Sequence, residues 1–135
     1  MAQPTDDPRP LLEAFFAEVL AQPRAWLHLD TKREGGWPWD DPGPDLVGTE
    51  VYEGGFRLRY SGRPHPIEVT GVERAVRAHH GWGPHALELH GDMLLHTLME
   101  RRPLLGFARP PRAWEVRSPV LWLVSPKGYG QQREE

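Results

Sequence analysis

The chain has 135 residues, 39% of them hydrophobic and 26% charged, and a formal net charge of −3. Those values fit one globular domain and exclude both a disordered chain and a pair of ordinary domains. There is no cysteine, which removes disulfides, thiol catalysis and cysteine-bound zinc. A single domain over 1–135 is expected, with loose ends at about 1–6 and 127–135.

The N-terminus has neither a basic stretch nor an apolar stretch of the secretory kind. The longest apolar run, Val120 to Val124, is far too short to span a bilayer. A soluble protein of the cytoplasm is therefore expected, with no membrane partner. Fourteen of the 16 basic residues are arginine. A GC-rich genome is the first explanation of that bias, ahead of an arginine-bearing binding surface or thermal adaptation. Charge is uneven. Residues 1–53 carry four bases and eleven acids, a net of −7, and residues 54–117 carry ten bases and six acids, a net of +4. The two halves can cancel by packing together, or they can steer a partner.

In chain order, the first predicted element is a helix. Pro8 or Pro10 suits its first turn, Asp6 or Asp7 can accept from its free N–H groups, and Pro23 ends it. Leu11, Leu12, Phe15, Phe16, Val19 and Leu20 form one stripe, which reads as core packing. Ala25 to Thr31 alternates like a short strand. From Lys32 to Val47 the chain is crowded with Gly and Pro and reads as irregular.

Two strands around Gly54-Gly55 then read as a hairpin with a two-residue type I′ turn. The predicted register sets Val51 against Leu58 and Glu50 against Arg59. A strand is expected at Ile67 to Thr70, and a short helix at 71–80 carrying Val72, Ala75 and Val76 on one face. Gly81-Trp82-Gly83 breaks it, and Pro84 opens a long helix over 84–102. A strand at Ala86 to His90 is the alternative there. The absence of β-branched residues and the stripe Leu87, Gly91, Leu94, Leu95, Leu98 favour the helix. Leu104 to Arg112 reads as a Pro/Arg-rich connector. Trp114 to Arg117 and Val120 to Val124 are strand-like, with a bulge or an edge expected at Pro119.

The expected fold is therefore α+β: a mostly antiparallel sheet of four to six strands with an N-terminal helix and a helical pair packed on it.

Chemistry-bearing patterns are weak. His79, His80 and His85 are the best metal candidates, because they can meet across the tight turn at Trp82. They match no zinc-hydrolase spacing, so no metal and no cofactor is expected. None of Ser61, Ser118 and Ser125 sits in a nucleophile elbow. The helical pair resembles a helix-turn-helix in outline, and Arg57, Arg59, Arg74, Arg77, Arg101 and Arg102 supply positive charge. The start of the second helix is apolar, however, and the net charge is negative, which disfavours nucleic acid.

Six tryptophans are many for this length. Trp26, Trp114 and Trp122 fall in strand-like segments and are expected in the core. Trp37, Trp39 and Trp82 fall in loops, two of them beside Asp40 and Asp41. Loop tryptophans suit protein recognition, because Trp and Arg dominate interface hot spots. The expected function is a small cytoplasmic, non-enzymatic accessory or regulatory protein that binds another protein through Trp37, Trp39, Asp40, Asp41 and Trp82. A nucleic-acid-associated protein is the second reading, and a small metal-dependent hydrolase the third. The sequence does not set the oligomeric state.

Overall fold

The computed structural model describes residues 7–31, 45–80 and 83–125, with the side chains of His79, His80 and His85 outside that description. Helix α1 spans Arg9–Leu20, where the apolar stripe predicts it. Asp7 accepts a hydrogen bond from the Arg9 N–H at 3.1 Å, satisfying one of the donors that a helix start leaves open. Leu12, Phe15, Phe16 and Val19 are at most 1% exposed, so the stripe is core.

Six strands follow: β1 (His28–Thr31), β2 (Leu46–Tyr52), β3 (Gly55–Tyr60), β4 (Ile67–His80), β5 (Gly83–Met99) and β6 (Arg112–Ser125). They form one antiparallel sheet in the order β1-β6-β5-β4-β3-β2. Strand makes up 60% of the described residues and helix 12%, so the fold is mostly β and the expected α+β class is wrong. The error lies in the helical pair. Residues 71–80 and 84–99 are the two long central strands, paired along their length from Glu68↔His96 to His80↔Gly83.

The misreading has a physical cause. Bulges break the phase of both strands, so inward positions cease to alternate. On β4 the inward side chains are Ile67, Val69, Val72 and, partly buried, Ala75. Steps of three after Val69 imitate a helical period. On β5 they are Leu87, Leu89, Met93 and Leu95, all fully buried, and the step of four across the bulge does the same. Gly71 (φ 82) and Gly91 (φ 151) stand at the bulges of these two strands, backbone against backbone. A Cβ on Gly71 would overlap the Asp92 carbonyl oxygen, and one on Gly91 the Gly71 carbonyl oxygen. Only glycine lets the backbones come so close.

The β2–β3 hairpin forms, with a register two residues from the expected one. Tyr52 pairs with Gly55, Val51 with Phe56 and Glu50 with Arg57, so the turn is Glu53-Gly54. Gly54 alone has positive φ, 77°, which rules out the type I′ turn. Gly55 is a strand residue for a different reason: a Cβ there would overlap the Val69 carbonyl oxygen on β4. A slip of two keeps every side chain on its face, so the core pattern survives. Near Pro119 the ladder does carry a bulge, though on the partner strand: Gly91 and Asp92 together oppose that one residue.

The sheet curls around α1, which packs on its concave face. Phe16 meets Phe56 edge-on with centroids 5.3 Å apart. At one end the two sheet edges touch. The Leu46 N–H donates to the Ala25 carbonyl at 2.7 Å, the Tyr60 hydroxyl to the Leu27 carbonyl at 2.8 Å, and Arg24 grips Asp45 with Nη2 at 3.0 Å. One continuous core results. Trp26, Trp114 and Trp122 are only half-buried and lie outside it, contrary to expectation.

Candidate functional site

The site stands out at the β5–β6 connection, residues 100–111. The β ladder ends at Met99↔Arg112. Beyond it Pro103, Pro110 and Pro111 offer no N–H to continue a ladder. The arms are held together by other means. The Arg101 Nε–H donates to the Pro110 carbonyl at 2.9 Å, and the Arg109 Nε–H to the Arg102 carbonyl at 2.8 Å. Further out, Leu104 and Phe107 exchange both backbone hydrogen bonds at 2.9 Å.

That exchange closes a two-residue turn at Leu105-Gly106. Leu105 has φ 54° and Gly106 φ 81°, the two positive values of a type I′ turn. Its first position favours Asn, Asp or Gly, because a left-handed backbone costs a residue with a Cβ about 1–2 kcal/mol. Leu105 is the one non-glycine residue with positive φ among those described. It is also 89% exposed, so no packing offsets the strain. Its neighbours Leu104 and Phe107 are 57% and 75% exposed. Of the six exposed large hydrophobics described, three therefore sit within four residues, and Leu20, Val47 and Val76 are single.

Charge surrounds this tip. Arg101, Arg102 and Arg112 are exposed and Arg109 half-buried, and none of the four forms an ion pair among the described residues. The segment's single acid, Glu100, is held by His65 at 2.5 Å. Arg63, Pro64, His65, Leu98, Met99 and Glu100 line a notch of about 90 Å³ at the base. Pockets that enclose a small organic ligand run to several hundred Å³, so the notch is too small to enclose one.

The arginines named from sequence do not share one surface. Arg57 is held between two carboxylates, Glu50 at 2.9 Å and Glu68 at 2.5 Å. Arg77 grips Glu18 at 2.8 Å and lies over the Phe15 ring. Hydrogen bonds to Glu68 and to Glu18 push the pKa of Arg57 and of Arg77 up, so both guanidiniums are committed within the fold. Arg59 and Arg74 are exposed on the same two strands, β3 and β4. Only Arg101 and Arg102 reach the hairpin. The helix-turn-helix outline is gone, since its two helices are β4 and β5.

Trp37, Trp39, Asp40, Asp41 and Trp82 lie outside the described residues. Among the described residues no group of three His, Asp or Glu is placed to hold a metal. Sequence reasoning missed Leu104, Leu105, Phe107, Arg109 and Arg112. The signal was there in Arg101-Arg102-Pro103-Leu104-Leu105-Gly106-Phe107-Ala108-Arg109: an apolar group fenced by Pro and Arg, which a connector does not require.

The fold and the site define a curled antiparallel sheet, plugged by one helix, that carries a stapled hairpin with an apolar tip. Compared with family models, curated proteins and solved structures, the chain has no match.

Proposed function

We propose that this protein is a non-enzymatic accessory module that acts by docking, with the 100–112 hairpin as its contact element. The observation that carries the reading is Leu105, a leucine held at φ 54° and 89% exposed in a turn whose favoured residues are polar or glycine. Strain that the fold does not require is a pointer to function. The arginines support the same reading, because Arg and large apolar side chains anchor interfaces. The proposed contact element is thus the β5–β6 connection in place of the tryptophan loop.

The test is site-specific photocrosslinking in cells, with a photoreactive residue at position 105 and, as control, at position 20, a single exposed leucine on α1. Docking predicts an adduct from 105, of protein or lipid, that position 20 does not give. Identical adducts from both positions, or none from 105, would remove the hairpin as contact element.

A further inference from the structure

We infer that the surface this hairpin docks on is an anionic lipid interface, with the apolar tip entering below the phosphates and the arginines resting among them. The inference rests on the hairpin being the docking element and adds what it touches. Three features of the hairpin match a layered interface.

The first is the order of chemistry along the finger. Pro103 to Ala108 contains no polar side chain, and the residues before and after are Arg102 and Arg109. These arginines face each other across the arms, as the Arg109 Nε bond to the Arg102 carbonyl shows. Each lies two residues from Leu104 or Phe107, a rise of roughly 7 Å along an extended arm. Apolar elements that lie in a membrane interface are buried about 5–10 Å into the headgroup boundary. The arginine layer therefore falls at phosphate depth when the tip is immersed. An arginine in that position keeps its charged end in the polar zone and its stem along apolar surface.

The second feature is the backbone. Immersion is penalised by N–H and C=O groups that lose water without finding a partner. Leu104 and Phe107 satisfy each other's groups, and Pro103 has no N–H. Left open are the turn peptides of Leu105 and Gly106 at the apex and, nearer the arginines, the Pro103 carbonyl and the Ala108 peptide groups.

The third is charge. Residues 100–112 carry four arginines and one acid, Glu100, a net of +3, while the chain carries −3, so the remainder carries −6. The molecule is thus polarised. An anionic surface attracts the finger and repels the rest, which orients it tip-first. The expectation of no membrane partner came from the missing apolar span, and that concerns crossing rather than docking. No helix among the described residues is long and apolar enough to cross.

The experiment is co-sedimentation of the full chain with 100 nm vesicles of phosphatidylcholine, alone or with about a third phosphatidylglycerol, at low and high salt. Binding is expected on the anionic vesicles, at least tenfold weaker on phosphatidylcholine alone, and weakened by salt. Arg101→Gln/Arg102→Gln should reduce anionic binding by roughly 25-fold, about fivefold for each arginine near the surface. Leu105→Asn/Phe107→Ser, with far-UV circular dichroism and thermal midpoint retained, should reduce it at least tenfold. A wild-type chain that stays in the supernatant with the anionic vesicles, or binding indifferent to the tip variant, would overturn the inference. If vesicles fail and position 105 crosslinks to a protein, the lipid assignment falls while the docking reading stands. If position 105 crosslinks to nothing, both fall.

Discussion

Among the described residues two hairpins reverse the chain in two residues each, and they do so for different reasons. At Glu53-Gly54 a glycine takes the positive φ, 77°, and next to it Gly55 lies under β4, where a side chain would strike Val69. Both glycines of that turn suit the fold, Gly54 through its own positive φ and Gly55 through its neighbour on β4. At Leu105-Gly106 the first positive φ falls to a leucine with 89% of its surface in water, and no neighbour accounts for it. Within one molecule, then, the first turn is shaped by folding, and the second keeps a residue that folding would exchange.

That comparison can be broken or sharpened by substitution, read as unfolding free energy in urea. Gly55→Ala should have the largest effect, a loss of about 3 kcal/mol or more, because the overlapped atom is backbone of a packed strand. A loss under about 1 kcal/mol would show that β3 and β4 can part freely, and would undo the account of the first turn. Gly54→Ala meets open space and feels only its own φ, so about 1–2 kcal/mol is expected. Arg57→Ala removes half-exposed pairs with Glu50 and Glu68 beside that turn, and should cost under about 1 kcal/mol. Phe107→Ser, in the second hairpin, should stay within about 0.5 kcal/mol despite removing a phenyl ring. A loss of several kcal/mol there would mean that the ring packs, and the two hairpins would then be of one kind.

How much of this was legible depends on whether local pattern and tertiary structure agree. For α1 they do: the stripe from Leu12 to Val19 is buried as spaced. For the first hairpin the turn region and the faces were readable, and the register was not. Which of Gly54 and Gly55 turns the chain depends on β4, and a local reading does not see β4. For β4 and β5 the pattern pointed the other way. Glycine-centred bulges shifted the phase, and Leu94-Leu95 placed one leucine on each face, so a strand read as a helical stripe. Residues rich in Ala, Leu, Glu and Met then supplied helix propensity, which burial between two neighbouring strands overrode. The site itself was half legible. Arg101 and Arg102 were named for their charge, but nothing in the letters fixes the φ of Leu105 or its exposure, and those two quantities make the tip a candidate.

The central claim is that the tip leucine serves something other than the fold, and the stability of Leu105→Asn tests it most directly. Asparagine suits the left-handed position and the water around it, so the variant should match the wild-type unfolding free energy or exceed it by about 0.5–1 kcal/mol. A loss of more than about 1 kcal/mol would show that Leu105 supports the structure, and the contrast between the two hairpins would be void.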